Sequence, residues 1–211
     1  MLLLLTVVGF TVLLVICILC IVINLSANKR KGTASVLAVM GSGGHTKEML
    51  SLLSGLGPHY RPRYYVIANT DTMSKQKVEE FEQQKNITEN SKPEFSLVLI
   101  PRSREVAQSW GSTVLSTLYA LFKSFPVVFS CNPDLILCNG PGTCVPICLA
   151  GLLLKILRLG RVQIVYVESI CRVDTLSMSA WMLYYVADQM LVQWPSLQTK
   201  FPRTQYIGKL V

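Results

Sequence analysis

Strand and helix take turns along most of this chain, and that alternation constrains the fold more than any other feature. Ser35–Met40 is a short apolar run. A helical stretch follows at His45–Leu56, with Met49, Leu52, Leu53 and Leu56 on one face and Gly57-Pro58 to stop it. The pattern then repeats. Tyr64–Ala68 is a second strand, Ser74–Lys85 a charged, solvent-facing helix, and Phe95–Ile100 a third strand closed by Pro101. Ser109–Phe129 is helical and rich in apolar residues, and Leu135–Cys138 is a fourth strand entered through Asn132-Pro133-Asp134. Thr143–Leu159, Val162–Val167, Leu176–Ala187 and Met190–Gln193 complete the series as helix, strand, helix and strand. Alternation with short connections implies an α/β fold: a Rossmann-like, doubly wound parallel sheet with helices on both faces. Ligands of such sheets sit beyond the carboxyl ends of the strands, so function is sought in the loops that follow them.

What precedes the first strand is of another kind. Residues 2–28 carry no charge, and Leu2–Ile23 is almost purely apolar. At about 1.5 Å of rise per residue, roughly 20 such residues cross a bilayer core. The run is too long for the core of a cleaved signal peptide, lacks a basic leader and has no A-x-A site. Residues 1–28 are therefore expected to form a single transmembrane anchor. Lys29, Arg30 and Lys31 lie in a basic flank, residues 29–33. Positive flanks stay in the cytosol, which puts the N-terminus outside it and the main domain inside. Asn86-Ile87-Thr88 is a glycosylation sequon by pattern, and this topology leaves it unmodified.

Roughly 180 residues remain, enough for one domain and not two. All 20 Lys and Arg follow the anchor, against 12 Asp and Glu, for a formal charge of +8. Beside a membrane that excess favours anionic lipid or a phosphorylated ligand. Seven cysteines stand at 17, 20, 131, 138, 144, 148 and 171. No Cys-x-x-Cys pair is matched by a second pair or by histidines, so zinc is not expected and reduced thiols are. Without an Asp-x-Asp cluster, neither is a catalytic divalent metal, and no cofactor is anticipated.

Three loops after strands stand out. The first is Gly41-Ser42-Gly43-Gly44-His45-Thr46. It does not fit the P-loop, and Thr46 stands where a dinucleotide fingerprint has its last glycine. Glycines still let backbone amides approach an anion closely at a helix start. The second is Asn139-Gly140-Pro141-Gly142-Thr143, again at a helix start. Two such loops after inner strands could line one cleft and hold a diphosphate. The third is Glu168–Arg172. Two apolar helices carry charge: Cys144–Leu159 holds Lys155 and Arg158, and Ser112–Phe129 holds Lys123. The first is too short and too charged to span a bilayer; each could be a core helix or a helix that dips into the membrane surface.

These motifs carry a resemblance. "GSGGH" and "CNGPGT" resemble the two glycine loops on the acceptor side of the bacterial peptidoglycan N-acetylglucosaminyltransferase, the MurG type. Met40 stands where the bacterial loop has its first glycine, and Thr143 where the second has one. "YVESICRV" followed by "YYVADQMLVQW" resembles the Alg14 family, the membrane-anchoring subunits of the eukaryotic UDP-N-acetylglucosamine transferase. The resemblance implies the N-terminal, acceptor-side half of a GT-B glycosyltransferase. The donor half would be a soluble Alg13-type subunit binding most of the UDP-N-acetylglucosamine. Together they would add the second N-acetylglucosamine to dolichyl-diphosphate-N-acetylglucosamine at the cytosolic face of the endoplasmic reticulum. The chain would be inactive alone, and nucleic acid is not an expected partner. The end at Val211, just after the sixth strand, is in keeping with a separate second domain.

The expected chemistry is inverting displacement, for which a base must take the acceptor hydroxyl proton. His45 and Glu168 are both candidates. Gly41, Ser42, Gly43, Gly44, Thr46, Asn139, Gly140, Gly142, Thr143 and Arg172 are the expected diphosphate contacts, although Arg172 could instead pair with Glu168. The domain is expected over 34–205 and a partner-docking tail over 206–211, with Tyr206, Ile207, Leu210 and Val211 as its apolar contacts. Two other classes stay open: a nucleotide-binding reductase with Asp71 on a ribose, and a non-catalytic membrane tether.

Overall fold

The computed structural model describes residues 32–89, 94–101, 110–157 and 159–211. The expected anchor at 1–28, Lys29, Arg30 and Lys31 of its flank, Ser109 and Arg158 lie outside the described residues. Strands β1 (Val36–Val39), β2 (Arg63–Ala68), β3 (Phe95–Ile100), β4 (Leu135–Cys138), β5 (Gln163–Val167) and β6 (Gln189–Val192) coincide with the six expected, with ends moved by a residue. The sheet has a seventh, β7 (Gln205–Tyr206), and its order is β3-β2-β1-β4-β5-β6-β7. Every pairing is parallel, with Val36 opposite both Arg63 and Leu135.

Parallel central strands are covered on both faces, and β1 shows it: all four of its residues are buried. Leu37 and Val39 point into one core with Ile136, Cys138, Ile164 and Tyr166. Helices α3 (Trp110–Cys131), α4 (Cys144–Ile156), α5 (Met178–Leu183) and α6 (Pro195–Lys200) pack there. Val36 and Ala38 point into the other core, beneath α1 (Gly44–Ser54) and α2 (Thr72–Glu89). Under α2, a fully buried ion pair joins Arg63 to Glu82, with Nε to Oε1 at 2.6 Å and Nη2 to Oε2 at 2.7 Å, and Tyr65 donates its hydroxyl to the same carboxylate.

Of the two apolar helices, α4 is a core element, with Cys144 to Cys148, Ala150, Gly151 and Leu154 buried. α3 packs on it, while Leu118, Tyr119 and Phe122 on its outer side are exposed. Among the described residues no helix is long and apolar enough to cross a membrane.

The tail departs from expectation. Tyr206 belongs to β7, opposite Val192, so the sheet runs past residue 205. The amides of Leu210 and Val211 donate to Gln193 Oε1 at 3.0 and 3.3 Å, and Leu210 packs against the α1-side core. Tyr206 and Ile207 alone of the four expected docking residues are exposed, at 37% and 60%.

Candidate functional site

The strand order reverses between β1 and β4, and both glycine loops leave the sheet there. This is the crevice where doubly wound folds bind ligands. Gly41 to Gly43 turn the chain from β1 into α1; Asn139 to Thr143 do the same between β4 and α4. His45, in the first turn of α1, lies between the two loops.

The glycines divide by purpose. At Gly140, φ is +82° and an added Cβ would stand 2.7 Å from His45 Nδ1, 3.0 Å from Nε2 and nearer still to Cε1. At Gly41 it would stand 2.7 Å from His45 Cβ and 3.1 Å from Pro141 Cγ. The space at Gly140 is occupied by the imidazole, and that at Gly41 by the His45 Cβ and the Pro141 ring. Gly43, Gly44 and Gly142 face open space and leave backbone accessible to a ligand. Gly43 also needs its left-handed φ of +63° to start the helix.

Three expected diphosphate contacts are buried. Thr46 donates its hydroxyl to the Gly41 carbonyl and meets Ser74 Oγ at 2.8 Å. Thr143 is 6% exposed, and its hydroxyl makes no capping bond to α4. Asn139 is fully buried: Nδ2 donates to the Val167 carbonyl at 3.1 Å, which leaves Oδ1 to accept from His45 Nδ1 at 3.2 Å. That orientation fixes the tautomer. With the proton on Nδ1, the neutral imidazole carries its lone pair on Nε2, for which no hydrogen bond exists among the described residues.

A cleft of about 410 Å³ opens here, lined by Gly44, His45, Glu48, Gly140, Glu168, Ser169, Cys171, Arg172 and Ser177. Arg172 is exposed in that lining, and Ser42 is exposed in the first glycine loop. Glu168 is buried, and both its oxygens accept backbone amides, Oε1 from Ser169 at 3.0 Å and Oε2 from Ser177 at 2.8 Å. Burial pushes its carboxyl above the usual range, opposed by those amide bonds and by Arg172. The geometry makes Glu168 an anchor of the 168–177 loop, while His45 lines the cleft with Nε2 unengaged among the described residues. The Glu168 carbonyl also accepts from Gln193 Nε2 at 3.0 Å, and Gln193 Oε1 is the acceptor for the tail. Asp71, the ribose ligand of the reductase alternative, instead caps α2, accepting from Ser74 N at 3.0 Å and Ser74 Oγ at 2.7 Å.

Sequence reasoning missed Glu48, Ser169 and Gln193. Glu48 lies three residues past His45 and reads as an ordinary helix carboxylate. The only available signal was its place among the buried positions of α1, beside Met49.

Comparison with known proteins agrees with this architecture. A family model described as "Oligosaccharide biosynthesis protein Alg14 like" matches residues 36–210. The human UDP-N-acetylglucosamine transferase subunit ALG14 is 53% identical over 179 residues, covering 84% of this chain and 83% of the human one. The rat protein of the same name is 48% identical over 207 residues, covering 96% and 94%. Among solved structures, Acinetobacter baumannii MurG superposes with a TM-score of 0.54 at 16% identity, a likeness of fold alone. The match covers 84% of this chain and 45% of MurG, so the chain spans less than half of MurG's length. The family match runs from β1 through both glycine loops, His45 and the 168–177 loop to the tail, and this chain belongs to the Alg14 family of oligosaccharide biosynthesis proteins.

Proposed function

We propose that this chain is the membrane-anchored, acceptor-binding subunit of a two-component N-acetylglucosaminyltransferase. Its acceptor is dolichyl-diphosphate-N-acetylglucosamine, and a soluble Alg13-type partner binds the donor, UDP-N-acetylglucosamine. The relatives named as UDP-N-acetylglucosamine transferase subunits support the activity and the need for a partner. Residues 1–28 hold the chain in the endoplasmic reticulum membrane with the N-terminus lumenal and the domain cytosolic. A polyprenyl acceptor stays in the bilayer, so its binding half gains most from an anchor.

The observation that carries the mechanism is His45, held by Asn139 with its Nε2 lone pair free beside the cleft. The acceptor hydroxyl oxygen bonds to the anomeric carbon of the donor. The carbon–oxygen bond to UDP breaks, its electron pair leaves on the diphosphate, and the hydroxyl proton passes to His45 Nε2. Direct displacement of this kind inverts the anomeric centre. The open backbone at Gly43, Gly44 and Gly142 receives the acceptor diphosphate, and Arg172 offsets its charge.

The test is transfer from labelled UDP-N-acetylglucosamine to the lipid acceptor, in membranes holding this chain and its partner. Removing a general base costs about 10²–10⁴-fold. His45→Ala should lower the rate by roughly 10² or more, and membranes with this chain alone should show no transfer. Full activity of His45→Ala would remove the base from His45, and transfer without a partner would refute the two-component reading.

A further inference from the structure

Glu48 is buried on α1, 9% exposed, with its carboxylate in the wall of the cleft. Oε1 accepts from Ser169 Oγ at 2.8 Å. Oε2 is buried without a hydrogen-bond partner, and the nearest cation-forming group is the His45 ring, with Nδ1 at 3.7 Å. A buried carboxylate oxygen with no donor is costly, and native structures keep one where a function uses it. What the reaction adds here is positive charge on the adjacent ring.

We propose that Glu48 is a positioning residue for His45: its unpartnered oxygen stabilises the imidazolium that forms when Nε2 accepts the acceptor proton. This rests on His45 being the base. In the base form that accepts the proton, Nδ1–H is engaged by the Asn139 amide, and the carboxylate stands 3.7 Å from it. Once Nε2 is protonated, the ring carries a full charge and the carboxylate attracts it directly. An interaction that strengthens only as charge develops lowers the barrier without tightening ground-state binding. Asn139 is neutral; it fixes the tautomer and supplies little of this attraction. Glu168 has both oxygens on backbone amides and cannot substitute. The hydroxyl of Ser169 holds Glu48 from the far side and aims the free oxygen at the ring.

The test is a double-mutant cycle in membranes holding the full chain and its donor-binding partner, with transfer measured from UDP-N-acetylglucosamine to a polyprenyl-diphosphate-N-acetylglucosamine. Glu48→Gln keeps the shape and removes the charge. It should lower kcat roughly tenfold, with KM for both substrates unchanged within about twofold, and Glu48→Asp should recover part of the loss. In a His45→Ala background, Glu48→Gln should cost nothing more, because a group acting through another has no effect once that other is gone. Ser169→Ala, which leaves the carboxylate charge in place, should lower kcat about two- to fivefold and be equally silent without His45. It carries the test if Glu48→Gln fails to accumulate. An unchanged kcat in Glu48→Gln would overturn the proposal, as would an equal loss with and without His45, which marks a purely structural role. If His45→Ala retains full activity, the base assignment fails first and the proposal with it; if His45→Ala is inactive and Glu48→Gln is normal, only the proposal fails.

Discussion

The division of the glycines makes a sharp prediction at Gly140. Alanine there must adopt a φ of +82° and place its Cβ 2.7 Å from His45 Nδ1. The backbone cost of a left-handed non-glycine residue is about 1–2 kcal/mol. For a chain of this size that corresponds to a fall in thermal midpoint of roughly 2–8 °C. The contact cannot be relieved through Gly41, since His45 Cβ already stands against the space above it. The imidazole must swing away from Asn139 instead, and a misplacement of about 1 Å in a catalytic group costs on the order of 10²-fold in rate. Gly142→Ala, in the same loop, meets nothing within 4 Å and has no left-handed φ to strain. Thermal unfolding and kcat should therefore separate the pair: Gly140→Ala folded, somewhat less stable and with kcat nearly abolished, Gly142→Ala close to the parent in stability and kcat, with its loss confined to KM for the acceptor whose diphosphate that backbone receives. In a His45→Ala background the Gly140→Ala clash disappears, and the further loss of rate should disappear with it. A near-normal kcat in Gly140→Ala, or an equal loss of kcat in both single variants, would refute the idea that this glycine exists to seat the histidine.

Valine at Gly43 or Gly44 should abolish transfer while membrane insertion and partner recruitment persist, because a β-branched side chain fills the backbone approach left open to the diphosphate; the checks are the transfer assay and co-fractionation of the partner. Breaking the buried Arg63–Glu82 pair by Glu82→Ala should destabilise the chain by about 3–5 kcal/mol, read by chemical denaturation, since a buried guanidinium loses its bidentate carboxylate. Glu168 is held above the usual carboxyl range by burial, so its protonated form is the one the fold favours. Its stabilising contribution is complete below the ordinary Glu range and is lost as pH rises through the raised value, so the wild type should lose stability relative to Glu168→Gln over that rise, measured by denaturation at stepped pH. Ile207→Asp, at an exposed position, should release the soluble partner into the supernatant and leave this chain intact, whereas Leu210→Asp, packed on the core, should lower the stability of the chain itself.

The order of elements was legible because burial imposes periodicity. β1 is buried on both faces and reads as an unbroken apolar run, while α1 shows its apolar stripe at Met49 and Leu53. Elements too short to show a period escaped. α6 has six residues and β7 has two, so neither completes a recognisable pattern; in the tail expected to dock a partner, the sheet claims Tyr206 and Gln193 claims the last two amides. The helix expected over Leu176–Ala187 is six residues long, because Tyr184 to Val186 turn the chain back toward β6 before another turn can form.

The site was legible as loops and not as contacts. Glycine beside a helix start announces either a ligand or a crowded neighbour, and sequence cannot distinguish them; only the fold shows that the obstacle at Gly140 is His45, from another strand's loop. Polar residues raised the same difficulty. Asn139 and Glu168 stand at strand ends, where ligands bind, yet Asn139 spends its amide on the Val167 carbonyl and the His45 ring, and Glu168 its carboxylate on the backbone of the loop beside it. A cleft built from three separate loops needs such anchors to fix one loop against another. The residue left over is informative for that reason. Glu48 satisfies one oxygen on Ser169 and leaves the other buried next to a base, so among the carboxylates around this cleft it is the one whose second bond the fold does not provide.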